Sequence, residues 1–269
     1  MASFNPPIRD WRSRTVWIVG ASSGIGRALA QQLVNAGARV VVTARREPEL
    51  RAITPRPWMC LPCDIGDSAS MQTALTALRD ADAFPDVVFW VAGVYYPMDS
   101  AALDLHGVQE TFRINVLSAY HAQAMLVAHW KERRESRPAA QSPHWILVSS
   151  VAGYRGLPQA AAYGASKAAL TYLAETSYLE LQRVGIAVSV VNPGFVATRL
   201  TQKNNFRMPA MITPDEAARQ TMAGLAKGSF EIHYPRRFTR WLKLLRLLPY
   251  ALYFRIMRQA VPRPPHDER

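Results

Sequence analysis

Cysteine is scarce: two in 269 residues, Cys60 and Cys63. A disulfide scaffold is excluded on that count. The Cys-x-x-Cys spacing invites redox or metal chemistry, but in a strand residues three apart point to opposite faces. Two packed thiols in a reducing compartment are therefore expected, and no metal site. The N-terminus, Met1-Ala-Ser-Phe-Asn-Pro-Pro, lacks the apolar core of a secretory signal, so residence in the cytoplasm is expected. No repeat and no low-complexity block interrupts the chain. Acidic residues are missing altogether from Ile232 to His266, where eight Arg or Lys residues supply two thirds of the net charge of +12.

What is present is an alternation. Apolar runs near 15–19, 39–43, 58–62, 87–92, 144–149 and 186–191 are separated by longer amphipathic stretches. That order predicts an α/β chain with a doubly wound parallel sheet and helices on both faces. At 49% apolar residues the chain can fill one large core. Arg133 to Pro143 reads as a surface loop, and 262–269 as a loose tail.

Two segments carry chemistry. After the run Trp145–Val148 come Ser149-Ser150, then Tyr163-Gly-Ala-Ser-Lys167 in an Ala-rich helical stretch. Residues four apart share a helix face, so the Lys167 ammonium can stand beside the Tyr163 phenol and lower its pKa from about 10. The second segment is Val16-Trp-Ile-Val-Gly20-Ala-Ser22-Ser23-Gly24-Ile25-Gly26. A strand running into a glycine loop and then a helix offers close backbone approach and free N–H groups to a pyrophosphate.

These two motifs, in this order and about 140 residues apart, resemble the short-chain dehydrogenase/reductase family. The resemblance extends over roughly residues 12 to 235. Asp64 in Cys63-Asp64-Ile65 is similar to the family's adenine-contacting acid, Asn115 in Ile114-Asn115-Val116 to its catalytic asparagine, and Asn192-Pro193-Gly194-Phe-Val196-Ala-Thr198 to the loop that holds the nicotinamide carboxamide. The resemblance implies a Rossmann-type catalytic domain over 12–235 and an oxidoreductase. Gly20, Ser22, Ser23, Gly24, Ile25, Gly26, Asp64, Ile65, Ala92, Gly93, Tyr163, Lys167, Pro193, Gly194, Val196 and Thr198 are then expected to contact the cofactor. Tyr163 is expected to exchange a proton with the substrate oxygen, Ser150 to orient that oxygen, Lys167 also to hold the nicotinamide ribose, and Asn115 to position a water beside Lys167. Two residues depart from the family pattern: Val19 replaces the usual Thr and Val91 the usual Asn. If the two lie side by side, replacing both avoids a buried, unsatisfied donor.

Charge bears on the cofactor. The second strand ends Thr43-Ala44-Arg45-Arg46. An NAD-selective site places an acid there to accept from the ribose 2′-hydroxyl, and Ala44 stands in that place. The forks of Arg45 and Arg46 suit a 2′-phosphate, so NADP(H) is favoured over NAD(H). Val94, Tyr95, Tyr96, Tyr154, Leu157, Phe206, Met208 and Met211 suggest an apolar cleft for a bulky or lipid-like substrate. Arg199–Ile212 is expected to form a lid before a helix opened by Thr213, Pro214 and a capping box with Glu216.

The last segment, 236–261, reads as a basic amphipathic helical extension broken at Pro249. At about 100° per residue, Arg236, Arg240 and Lys243 lie opposite Phe238, Trp241, Leu242 and Leu245. It is too charged to span a bilayer, and three roles stay open: lying on an anionic membrane surface, lidding the cleft, or pairing subunits of a homo-oligomer. Nucleic acid is not an expected partner, because the apolar residues are not a set of stacking aromatics. The main alternative to an oxidoreductase is a non-catalytic cofactor-binding scaffold at a membrane surface; an epimerase or dehydratase is a lesser one.

Overall fold

The computed structural model describes residues 3–133, 142–203 and 208–260. Its elements run β1 (Thr15–Val19), α1 (Gly24–Asn35), β2 (Arg39–Thr43), α2 (Glu47–Arg51), β3 (Met59–Cys60), α3 (Ser68–Asp80), β4 (Val87–Trp90), α4 (Leu105–Phe112), α5 (Ser118–Glu132), β5 (His144–Val148), α6 (Ala161–Leu181), β6 (Ala187–Pro193), α7 (Pro214–Leu225), β7 (Glu231–Tyr234), α8 (Arg236–Leu247) and α9 (Tyr250–Met257). The strands form one seven-stranded parallel sheet in the order β3-β2-β1-β4-β5-β6-β7.

Strand residues alternate between two cores. Trp17, Val19, Trp90, Trp145 and Leu147 face α3, α5 and α6, where Leu75, Leu126 and Leu170 meet them. Val16, Ile18, Val42, Phe89 and Ile146 face α1, α2 and α7 through Leu29, Leu33, Leu50 and Leu225. Both faces are covered, as a parallel sheet requires. Ile8 and Trp11 join the second core, and Asn5 donates to Val188 O at 2.8 Å, so packing begins before residue 12.

The chain builds outward from β1 to β3 and then returns to β4 on the other side of β1. Ligands of such sheets bind in the crevice beyond the carboxyl ends of the strands at this switch point. β7 was not among the expected strands. Its four residues, Glu-Ile-His-Tyr, alternate half-buried and buried at the sheet edge, too short a run to stand out from a loop.

Cys60 packs against the second core and Cys63 in the first, on opposite faces as expected, and both are free thiols. Most of the expected 133–143 loop, and all of 262–269, lie outside the described residues. Val91 N–H donates to Val19 O at 2.9 Å, so the two departures are backbone neighbours. Their side chains nevertheless pack against different cores, so they do not form the apolar pair expected of them.

The helical wheel for α8 also needs correction. Lys243 turns inward to pair with Glu231, while Trp241 is exposed. Phe238, Thr239, Leu242 and Leu245 face the domain, with Phe238 against Phe195 at 5.6 Å between ring centres. α9 is held by Tyr253, whose hydroxyl donates to Gly156 O at 2.6 Å.

Candidate active site

The glycine loop closes by close backbone contact. Gly20 and Gly24 adopt φ +95° and +56°, and a Cβ on Gly26 would lie 2.2 Å from Gly20 O. The N–H groups of Gly20 and Ala21 donate to Thr43 O at 2.8 and 3.1 Å, fixing the loop over the end of β2. Ser23 caps α1 with extended backbone but no side-chain hydrogen bond. The first amides of α1 are thus left to an incoming anion, beside a positive dipole end.

A cleft of about 590 Å³ opens here, lined by Gly20, Ser22, Ser23, Gly24, Ile25, Arg45, Arg46, Asp64, Ile65, Ala92, Gly93, Ser150, Tyr163, Lys167, Pro193, Gly194, Val196 and Thr198. Residues from seven separate segments therefore meet. Gly26 and Asn115 stand behind the wall: Gly26 packs the loop, and Asn115 is buried.

On the far wall, Ser149 and Ser150 leave β5 and enter a short 3₁₀ turn, Val151–Gly153. The turn lies tight on α6, since a Cβ on Gly153 would come within 2.7 Å of the Lys167 backbone. Ser149 Oγ donates to Lys167 O at 2.6 Å. Ser150 Oγ accepts from Ala152 N–H at 3.1 Å, and Lys167 Nζ donates to Val148 O at 2.9 Å. Asn115 sits in a π-helical segment, Arg113–Leu117, joining α4 to α5. Its Oδ1 accepts from Val94 N–H at 2.7 Å, and its Nδ2 donates to Val94 O and Ser166 Oγ, each at 3.0 Å. These are the contacts of a brace between the β4 loop and α6.

Burial pushes the Tyr163 phenol up to about 12, outweighing the nearby Ser150 hydroxyl, which acts to lower it. Burial also brings Lys167 down to about 8. The expected lowering of Tyr163 by Lys167 does not appear. The ammonium lies 5.6 Å from the ring centre and bonds to Val148 O, too far away to offset the cost of a buried phenolate.

At the outer end Ala44, Arg45 and Arg46 border the cleft as expected, joined by an acid that the sequence reading missed. Glu49 pairs with Arg46 at 2.7 Å and with Arg199 at 3.1 Å. The Arg46 hydrogen bond, then that of Arg199, holds its carboxyl below the usual range. The i, i+3 spacing from Arg46 was a usable signal. Lys203 was missed too; it donates to Tyr95 O at 2.8 Å and lies over Tyr96, drawing the 199–203 segment across the cleft. Val94 and Tyr95 line the cleft, with the Tyr95 ring 4.9 Å from that of Tyr163.

Tyr154 does not line this cleft. It faces a second cavity of about 360 Å³, where its hydroxyl donates to Glu231 at 2.7 Å. Met211 is exposed, and Phe206 lies outside the described residues. Thr213 caps α7, accepting from Glu216 N–H at 3.2 Å, but the Glu216 carboxylate bonds to Arg219 and Gln220 instead of closing the capping box.

Known proteins resemble this chain in sequence and in fold. The short chain dehydrogenase family profile matches residues 14–208. An uncharacterized oxidoreductase of Myxococcus xanthus is 32% identical over 247 residues, covering 89% of this chain and 94% of that protein. The 3-oxoacyl-[acyl-carrier-protein] reductase MabA of Mycobacterium bovis is 30% identical over 190 residues, covering 71% of this chain and 72% of its own. In fold, a short chain dehydrogenase from Burkholderia cenocepacia, solved in complex with NADP, superposes with a TM-score of 0.79 at 22% identity, covering 92% of this chain and 99% of that one. With the glycine loop, the sheet order and the Ser150, Tyr163 and Lys167 wall in place, the chain belongs to the short chain dehydrogenase family of oxidoreductases.

Proposed function

We propose that this chain is an NADP(H)-dependent oxidoreductase that interconverts a carbonyl and a secondary alcohol on a bulky apolar, lipid-like substrate. The observation that carries the reading is the gathering of Ser150, Tyr163 and Lys167, the last two one helical turn apart, in the same cleft as the glycine loop. The residues suit a dinucleotide. The glycines leave the loop no side chain to fill, the α1 amides are uncapped, and a Cβ on Gly93 would intrude within 3.2 Å of Asn115 Oδ1 and 3.3 Å of Lys167 Nζ. Ser22, Ser23, Gly24 and Ile25 would hold the pyrophosphate, Asp64 and Ile65 the adenine, and Lys167, Pro193, Gly194, Val196 and Thr198 the nicotinamide end. When bound, the nicotinamide supplies or takes the hydride.

The protein's own part is proton transfer and orientation. With its pKa near 12, Tyr163 is a neutral phenol at pH 7 and is suited to give its proton to a carbonyl oxygen. Ser150 donates to the same oxygen and fixes its place. Lys167, near 8, exchanges protons close to neutrality and is suited to restore the phenol. Asn115 acts by holding Val94 and Ser166, and so the two walls, in register. Val94, Tyr95, Ile114 and Leu200 make the cleft apolar beside these groups. MabA is by name a reductase of an acyl-chain ketone, and an acyl chain has the same polarity as this lining.

Arg45 supports NADP(H), as does Arg46 once a 2′-phosphate replaces Glu49 as its partner, and Ala44 stands where an acid would oppose that phosphate. Ala44→Asp should reverse the ratio of NADPH to NADH affinity. Unchanged preference would count against this assignment. Tyr163→Phe is the test of the chemistry. Turnover of NADPH with long-chain ketones or a total lipid extract should fall by about 10²–10⁴-fold, while NADPH binding, read by its fluorescence, persists. A phenylalanine variant with full turnover would remove Tyr163 from the mechanism.

A further inference from the structure

α8 has two working sides. One packs on the domain: Thr239 shares a hydrogen bond with His233 at 2.6 Å, Leu245 is buried, and Lys243 pairs with Glu231. The other side carries a second apolar stripe. Trp241, Leu244 and Leu247 recur every three residues along α8 and are 58%, 57% and 79% exposed. Past Pro249 the exposure continues with Tyr250 at 70% and Phe254 at 53%, their rings stacked at 5.6 Å. Exposed arginines flank the stripe, Arg237 and Arg240 on α8 and Arg255 and Arg258 after it, and no Asp or Glu occurs from 232 to 260. Scattered exposed leucines need no explanation, but a continuous apolar stripe rimmed by one charge marks a contact surface.

We infer that the outer side of α8 and α9 docks on an anionic lipid bilayer. The arginines would meet lipid phosphates, and the apolar side chains would enter the headgroup and acyl boundary, where Trp and Tyr are favoured. Among the described residues no helix is long and apolar enough to cross a membrane, so the contact is with its surface. A second copy is a poorer occupant, because like faces would bring arginines together with no acid between them. Nucleic acid would satisfy the arginines and leave Leu244 and Leu247 in water.

The docking face is tied to the cleft. Arg155, five residues after Ser150, donates to Leu245 O, Arg246 O and Leu248 O at 3.0, 3.1 and 2.7 Å. Phe238 lies against Gly194, where a Cβ would approach its ring to 3.1 Å. The bilayer contact does not depend on the chemistry of the cleft, but it would hold that cleft beside a store of apolar substrate.

The test is co-sedimentation of the full chain with vesicles of phosphatidylcholine, with and without phosphatidylglycerol. Binding to the anionic vesicles should be about tenfold stronger or more and should weaken as salt rises. Trp241→Ser, Leu244→Ser and Leu247→Ser together should reduce it by about tenfold or more, as should Gln at Arg237, Arg240, Arg255 and Arg258. Melting temperature and NADPH binding, unchanged from the parent, certify the fold. If the triple variant melts early, Leu247→Ser alone and the Gln set carry the test. Equal binding to both vesicle types, no binding, or full binding by the variants overturns the inference. So does a lipid-free dimer that the serine variants abolish, which would give the face to a second copy.

Discussion

At the glycine loop the chain closes on itself by leaving side chains out; at α8 and α9 it closes by adding long ones. Gly20, Gly26 and Gly153 each hold two backbones together at distances that leave no room for a Cβ. The helices past β7 are instead tethered by the tips of Lys243, Arg155 and Tyr253, bonded to Glu231, to the end of α8 and to Gly156. Contacts of the first kind fail all at once, since a clash with backbone has no flexible partner to yield. Contacts of the second kind fail in increments, because each hydrogen bond lost is partly replaced by water.

The sharpest way to break this contrast is Gly26→Ala. Its methyl would sit 2.2 Å from Gly20 O, so α1 must move or the loop must open. Loss of NADPH binding is expected, with a stability loss of about 4 kcal/mol or more, read by fluorescence titration and thermal melting. An alanine variant that binds normally would show that the loop is less tightly closed than its geometry indicates.

Acid should weaken the two regions in a different order. His144 is buried on β5 beside Ser189, and burial, reinforced by the Arg14 charge, lowers it to about 3. The unfolded chain takes up this proton near pH 6.5 and the folded chain does not, so stability falls as pH drops below about 6.5 and levels off near 3. Between pH 7 and 5 the loss is about 2 kcal/mol, measurable by denaturant unfolding, and His144→Gln should flatten it. Glu231 behaves otherwise. Burial acts to raise its carboxyl, but hydrogen bonds from Lys243, Tyr154 and Asn192 and the Lys243 charge outweigh that and leave it below the usual range. Its contribution is present above the ordinary carboxyl value of about 4.3 and is lost only as pH falls below that. At pH 5 the core should therefore have weakened while the α8 tether still holds.

Glu231→Gln tests that tether directly. The Glu231 and Lys243 side chains are 27% and 35% exposed, so their pairing is partly screened. A loss of about 1.5 kcal/mol is expected, smaller than for a dry ion pair. Amide exchange should rise over 236–257 and stay low in β1, β4 and β5. A uniform rise across the sheet would mean that the helices are integral to the core.

How far each region could be read from sequence follows the same division. Six strands, the glycine loop and the Ser150, Tyr163 and Lys167 set were legible because steric rules leave few residue types acceptable: glycine where backbones touch, β-branched residues where both faces are covered. β7 was not legible because its alternation spans only four residues. The direction of the Tyr163 shift was misread because helical spacing places Lys167 nearby but says nothing of the Val148 carbonyl that engages it or of the depth of burial. On α8 a helical wheel reports which residues share a side, not which side meets the protein. With apolar residues on both sides, a single charge, that of Glu231 across from Lys243, decided the orientation. Glu231 belongs to the strand that was missed, so the two errors have one origin.

The smallest expected effect is also the most discriminating. Arg155 places one guanidinium nitrogen on the last-turn carbonyls of α8 and lies over the rings of Tyr250 and Tyr253 at 4.7 and 4.0 Å. A cation here satisfies carbonyls that the helix cannot, and it faces the negative end of the helix dipole. Arg155→Gln keeps a donor but removes the charge and the stacking, so a loss of about 1 kcal/mol is expected. Lysine would restore the charge and not the planar contact with two rings, and should recover only part of the loss. The readout is where amide exchange changes. If the segment 150–158 loosens together with 236–257, then α8, α9 and the loop bearing Ser150 open as one unit, and contacts on the outer helices bear on the catalytic wall. If only 236–257 loosens, the helices are tethered to a wall that stands without them, and the two regions differ in cooperativity as well as in construction.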